Sequence, residues 1–230
     1  MKRVLVTEDI YTVGKMVSNL TLPIFTLNNL ETVFVPQSLK ASVYNPILLE
    51  DLSKNFDNLV KSFKNDMLHF DSIYYSLSKT SNLHSLASLI KETSFNDTKV
   101  ICNATTFSST NDYEIFNNAN VVIVNGNTEE ELISLSDKLS DKVSYIISYD
   151  VYVSDSKRTV IIFNKDKKES EYIYYKVWKE NFTNLPHLFA SLFTAYYLNE
   201  NKVSDAVHLS LKEIAFRFSN LDSNYNFYSL

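Results

Sequence analysis

Glycine is nearly missing from this chain: Gly14 and Gly126 are the only two in 230 residues, where ordinary usage of about 7% would give roughly sixteen. Turns that wrap a phosphate group depend on glycine, because a Cβ blocks positive φ and the close approach of N–H groups to the anion. With Gly126 isolated and Gly14 near the first strand, no glycine-rich phosphate loop can be assembled. Cysteine is reduced to Cys102, which excludes an intramolecular disulfide and fits a reducing compartment. Long apolar runs are missing too. The opening Met1-Lys2-Arg3-Val4-Leu5-Val6 turns polar at Thr7-Glu8-Asp9, too early for a signal-peptide core, and no later stretch would span a bilayer. A cytoplasmic protein with no membrane partner is expected, and Asn19, Asn96, Asn103 and Asn181 in Asn-x-Ser/Thr triplets are then not glycan acceptors. Long runs of one charge are absent as well: the formal net charge of −5 is spread along the chain, which leaves no basic stripe for nucleic acid.

What remains has the composition of a soluble globular domain, 45% hydrophobic and 21% charged, and its length suits one α/β domain, 1–230. Short β-type runs alternate with helical periodicities, the pattern of a largely parallel sheet with helices on both faces. Strands are expected at 2–6, 31–35, 71–75, 99–102, 120–124 and 143–148. Helices are expected at about 14–28, 48–68, 83–93, 128–139, 185–199 and 203–219. In the 48–68 segment Leu49, Leu52, Phe56, Leu59, Val60 and Phe63 fall on one helical face, after an irregular stretch from Pro36 to Pro46. Segments 158–163 and 171–177 flank Asn164-Lys165-Asp166-Lys167-Lys168 and read as an antiparallel hairpin toward the C-terminal end of the sheet.

No Walker A sequence, nucleophile elbow or dinucleotide fingerprint occurs. His69, His84, His187 and His208 lack the paired spacing of metal ligands, and no metal site is expected. Cys102 ends a buried strand and reads as an inert core thiol. Tyr172, Tyr174, Tyr175 and Trp178 alternate as strand residues do and suggest packing, and the aromatic content allows a dimer surface.

Several segments, in order, resemble bacterial pyridoxal and pyridoxamine kinases of the ribokinase superfamily. Asp9-Ile10-Tyr11-Thr12-Val13-Gly14 followed by Leu22-Pro23-Ile24 is similar to the family's Asp-Ile-Ser-x-x-Gly and Leu-Pro-Ile. Leu30-Glu31-Thr32-Val33 through Val35-Pro36, Phe70-Asp71-Ser72-Ile73-Tyr74 and Asn120-Val121-Val122-Ile123-Val124-Asn125 are similar to its second, third and fifth strands. Leu188-Phe189-Ala190-Ser191 and Lys202-Val203-Ser204-Asp205-Ala206-Val207 resemble its last two helices. The resemblance spans nearly the whole chain and implies a ribokinase-like fold with a central, largely parallel sheet.

It also implies where the chemistry would lie, and there the chain departs from the pattern. The family's anion hole and base form a Gly-Thr-Gly-Asp motif at the start of the penultimate helix, and here Asn184-Leu185-Pro186-His187 takes its place. Both glycines are replaced, Pro186 has no N–H to offer, and His187 stands at the catalytic Asp, where an exposed helix-start histidine is expected. Losing one oxyanion donor costs about two to three orders of magnitude in rate. Asn103 replaces the Asp that follows the fourth strand and so has no charge for magnesium. After Asn125 the family Glu falls on Thr128, with Glu129 adjacent, although Thr-Glu-Glu-Glu is also an acidic helix start. Tyr11 stands where relatives have a small Ser on the pyridine ring, and Asp9 remains, able to bind a ligand or to cap the next turn. Ala41-Ser42-Val43-Tyr44 replaces the ligand-reaching stretch, so Val43 and Tyr44 border a lid region shortened near 36–48.

The resulting expectation is a pyridoxal-kinase-like protein that has lost ATP-dependent phosphorylation of vitamin B6 and acts as a binding or partner module. It would be a homodimer, or a heterodimer with an intact relative, with a B6 vitamer as candidate ligand and no cofactor. Two other readings stay open: an active pyridoxal kinase with a drifted site, using Mg-ATP, and a structural or regulatory scaffold with a plugged pocket.

Overall fold

The computed structural model describes residues 1–13, 17–42, 47–78, 81–105, 113–176 and 184–219. Its strands are β1 (Lys2–Val13), β2 (Leu30–Ser42), β3 (Leu48–Asp51), β4 (Ser72–Ser76), β5 (Lys99–Asn103), β6 (Val121–Asn125), β7 (Tyr145–Ser154), β8 (Lys157–Asn164) and β9 (Glu169–Lys176). They form one nine-stranded sheet in the order β3-β2-β1-β4-β5-β6-β7-β8-β9. The six strands from β2 through β7 are mutually parallel, and the β8–β9 hairpin closes one edge, antiparallel at each of its pairings as expected.

Helices α1 (Val17–Leu27), α5 (Leu185–Leu198) and α6 (Val203–Ser219) cover one face; α2 (Phe56–Asn65), α3 (Leu83–Thr93) and α4 (Glu129–Ser136) cover the other. Successive strand residues therefore enter different cores. Leu5, Ile73, Val100 and Val122 pack with α2 and α3, whereas Val4, Val6, Tyr74, Ile101 and Val121 pack with α1, α5 and α6. A sheet buried on both faces needs apolar residues without alternation, which is why the central strands read as continuous hydrophobic runs.

Two expectations are corrected at the β2 end. The stretch after Pro36 is not irregular: β2 continues to Ser42, paired with an equally extended β1. The expected helix over 48–68 is two elements. Leu48–Asp51 pairs antiparallel with β2 through Ser38↔Asp51, Leu39↔Glu50 and Lys40↔Leu48, and α2 begins only at Phe56. The break is local. Asp51 Oδ1 accepts from the Ser53 N–H at 2.9 Å and from its hydroxyl at 2.6 Å, a side-chain turn that competes with helix. Leu49 shares the helical period but is exposed, whereas Phe56, Val60 and Phe63 are buried in the core and Leu59 packs against it.

The pairing of β1 with β2 slips between Glu8 and Ile10: Glu8 faces Pro36, and Ile10 faces Leu39. One extra β2 residue is accommodated opposite Asp9. Such irregularities re-aim side chains, and this one lies where the parallel strands end.

Candidate functional site

Parallel α/β sheets bind ligands at the carboxyl ends of their strands. Here those ends carry a density of buried polar groups found nowhere else in the described sheet. Glu8 and Asp9 on β1, Gln37, Ser38 and Lys40 on β2, Ser76 on β4, Asn103 on β5 and Thr105 just after it are all buried, as are Thr21 of α1 and His187 and Ser191 of α5. They divide into a charged group and a neutral one.

The charged group centres on Asp9, which caps no turn. Its Oδ1 accepts from the Ser38 hydroxyl at 2.6 Å and its Oδ2 from Lys40 Nζ at 2.5 Å. Lys40 also donates to Ser78 Oγ at 2.8 Å, and its ammonium sits 5.4 Å from the centre of the Tyr11 ring. Both side chains of the ion pair are shielded from water, 2% exposed for Lys40 and 6% for Asp9. Burial, then the charges of Asp9 and Glu8, push the Tyr11 phenol up to about 12. The frame around the pair is held by Gln37, whose amide donates to the carbonyls of Thr7 (3.1 Å) and Ser76 (2.8 Å) and accepts from Ser81 Oγ (2.9 Å).

The neutral group centres on Asn103, and its hydrogen bonds have only one consistent direction. The Thr105 N–H can only donate, and it lies 3.1 Å from Asn103 Oδ1, which the Thr105 hydroxyl also reaches at 2.7 Å. The amide nitrogen must then face the other way, donating to Tyr74 Oη at 2.8 Å and to His187 Nδ1 at 3.0 Å. His187 Nδ1 is thus an acceptor, and the ring proton is on Nε2. His187 is buried, not exposed at the helix start as expected, because α5 packs its first turn against the ends of β4 and β5. Burial lowers its pKa to about 4, with Asp9 pulling weakly the other way.

Glu8 belongs to this neutral group. Its Oε1 is 3.0 Å from Thr21 Oγ1, which is 2.8 Å from Ser191 Oγ, which donates to the His187 carbonyl at 2.9 Å. Thr21 donates to Glu8 Oε1, and the Ser191 hydroxyl lies between Thr21 Oγ1 and the His187 carbonyl. Burial, reinforced by Asp9, raises its pKa to about 8 against the hydrogen bonds of Thr21 and Tyr74. Glu8 Oε2 has no hydrogen-bond partner among the described residues, which a neutral carbonyl oxygen tolerates far better than a carboxylate.

The remaining expected positions do not join this cluster. Asn125 is exposed at the end of β6, and Gly126 after it takes a positive φ of 73° to make the turn. Glu129 opens α4, whose start is closed by the reciprocal Thr128–Glu131 capping box, and its carboxylate accepts from the Tyr172 hydroxyl across the sheet edge. Those hydrogen bonds, with that of Ser170 first, lower its pKa. Asn184 does not cap α5 through its side chain, Leu185 packs against the α1/α5/α6 core, and Pro186 lies in the first turn. Val43 and Tyr44 lie outside the described residues, as does Trp178. Cys102 is buried in β5, and burial pushes its thiol up.

These donors do not fit a magnesium nucleotide. Both Asn103 amide atoms are already engaged, Glu129 is turned to Tyr172, and no group of three or more His, Cys, Asp or Glu that could hold a metal occurs among the described residues. No helix among the described residues is long and apolar enough to cross a membrane. Lys40, Glu8, Tyr74 and the Thr21–Ser191 bridge escaped the reading of the sequence. One signal existed: a lysine and two carboxyls inside otherwise apolar strands.

No family model matches the sequence, and no curated protein matches it. Solved structures do. A candidate phosphomethylpyrimidine kinase from Bacteroides thetaiotaomicron, crystallised with pyridoxal, is 17% identical with a TM-score of 0.82, covering 97% of this chain and 90% of its own. Pyridoxal kinase from Lactobacillus plantarum is 12% identical with a TM-score of 0.78 over 97% of this chain and 91% of its own. Pyridoxal kinase from Leishmania donovani, in complex with ADP and pyridoxamine, is 11% identical with a TM-score of 0.75 over 94% of this chain and 85% of its own. The chain has the ribokinase-like fold of these kinases.

Proposed function

We propose that this protein is a pseudokinase: a pyridoxal-kinase-like scaffold that binds a B6 vitamer at the strand ends and does not phosphorylate it. The observation that carries this reading is the direction of the Asn103–His187 hydrogen bond. A general base must offer a lone pair to the substrate hydroxyl. The Nδ1 lone pair of His187 is taken by Asn103, Nε2 carries the proton, and the ring is neutral down to about pH 4. The amide of Asn103 has no oxygen to spare for a cation, and Pro186 removes a donor where a transferred phosphoryl group would need one. The similarity to kinases solved with pyridoxal and pyridoxamine supports a vitamer as ligand.

The test is a pair of measurements on the purified chain. Thermal stability is followed with pyridoxal, pyridoxamine, pyridoxine and Mg-ATP, each alone, and ATP consumption is followed with all of them together. A ligand at a hundred times its Kd stabilises by about 2.7 kcal/mol, a rise of several degrees in Tm for a chain of this size. The expected result is a shift with a vitamer, none with Mg-ATP, and no vitamer-dependent ATP consumption. Turnover that disappears in His187→Ala would overturn the proposal in favour of an active kinase. No shift with any vitamer would favour a scaffold whose partner is another protein, an intact relative included.

A further inference from the structure

We propose that Lys40 holds an aldehyde ligand covalently, as a protonated imine, an inference that rests on the vitamer-binding reading above and names the form that ligand takes. Lysine is almost never buried without a partner, and here its ammonium is 2% exposed at the carboxyl ends of β1, β2 and β4, where ligands of parallel sheets bind. What the charged group offers a ligand is decided by what is already used. Both oxygens of Asp9 are occupied, by Ser38 and by Lys40, so no free carboxylate is left to receive an amine ligand. A second ammonium would meet that of Lys40. Lys40 Nζ, held by Asp9 and Ser78, is the one amine of the group, and its chemical complement is a carbonyl.

The surroundings supply what that reaction needs. Asp9 Oδ2 lies 2.5 Å from Nζ, within reach of a proton that leaves the nitrogen as the C–N bond forms. The amine attacks the aldehyde carbon, a C–N bond forms, and the C=O electrons move to oxygen. That oxygen leaves as water with two of the three ammonium hydrogens. The third stays on the imine nitrogen, which keeps its positive charge and its ion pair with Asp9. No oxidant, reductant or further reactant enters. The Tyr11 ring lies under Nζ, 5.4 Å from it, so a group joined to Nζ would sit beside an aromatic side chain. Burial of Nζ keeps water from reversing the condensation. Pyridoxal is such an aldehyde, and one structure of similar fold was solved with it.

The full chain is incubated at neutral pH with equimolar pyridoxal, or with pyridoxine, which has the same ring and no aldehyde. Imine absorbance is recorded, the mixture is reduced with borohydride, and the peptides are mapped by mass spectrometry. The expected result is one pyridoxyl group per chain on Lys40, at least tenfold above any other lysine, and displaced by excess pyridoxine. Lys40→Arg, which keeps the charge beside Asp9 and is checked for folding by circular dichroism, should lose that label. Label scattered over other lysines, or no label while pyridoxine still stabilises the protein, overturns the imine and leaves vitamer binding standing. If neither vitamer stabilises or labels the parent, both fall together.

Discussion

At the ends of β1 and β2 the charges survive burial because they are paired: Asp9 and Lys40 meet at 2.5 Å, with Ser38 and Ser78 filling the remaining positions. At the ends of β4 and β5, against α1 and α5, nothing is charged. Glu8 is protonated, His187 is a neutral ring, and Asn103 bridges His187 to Tyr74. Glu8 and Asp9 are neighbours on one strand, yet they fall in different groups because successive strand residues point to opposite faces and the register slips between Glu8 and Ile10. The difference teaches which chemistry each half can support. In the charged half an amine and a carboxylate are held against each other. In the neutral half the Nδ1 lone pair of His187 and the Oδ1 lone pairs of Asn103 are already used, so neither is left for a substrate proton.

Breaking the pair should have the largest effect. Lys40→Met leaves Asp9 as an uncompensated buried charge and should cost about 3–5 kcal/mol, read by urea unfolding. Lys40→Met with Asp9→Leu should recover most of that loss. A double variant as unstable as the single one would show that the two side chains do not act as a pair.

The neutral half is separated from the charged half by pH. Folded Glu8, held near 8, binds more protons than unfolded Glu8 near 4.5, so its contribution falls as pH rises through that window. Folded His187, held near 4 against an ordinary 6.5, binds fewer, so its contribution rises with pH below 6.5. The two oppose each other until about pH 6.5, above which only the Glu8 loss remains, roughly 1.5 kcal/mol between pH 6.5 and pH 8. Glu8→Gln keeps an acceptor for Thr21, is neutral at every pH and should abolish that decline. Parallel curves for parent and variant over this range would mean that Glu8 is already ionised.

The smallest expected effect tests the direction of one hydrogen bond. Asn103→Asp replaces the amide donor with an acceptor that Thr105 and Tyr74 can still reach. The His187 ring should change from an Nε2–H tautomer that titrates near 4 to one protonated on Nδ1 that titrates higher. Long-range proton–nitrogen NMR distinguishes the two. An Nδ1–H signal already present in the parent would reverse the Asn103 assignment and remove the main argument against His187 as a base.

Much of the fold was legible because its signal is local. Apolar runs such as Val121-Val122-Ile123-Val124 mark a strand buried on both faces, and the Thr128–Glu131 spacing marks a helix start. The helix read across 48–68 failed because Leu49 shares a helical period with Phe56 and Val60 without sharing their burial, and one Asp51–Ser53 turn splits the segment. The site was legible as a set of departures, at Asn103, Pro186 and His187, but not as a set of contacts.

The sequence by itself determined the alternation of strands and helices, the scarcity of glycine that leaves no phosphate loop, and the residue types at the strand ends. Those follow from periodicity and from what one side chain can do alone. Only the tertiary structure decided that His187 is buried with its acceptor nitrogen occupied, that burial raises the pKa of Glu8, and that Lys40 meets Asp9. Each of those depends on residues up to 170 positions apart, such as Thr21 and Ser191, brought into one low-dielectric space. There a group's protonation is set by its neighbours and not by its own intrinsic tendency.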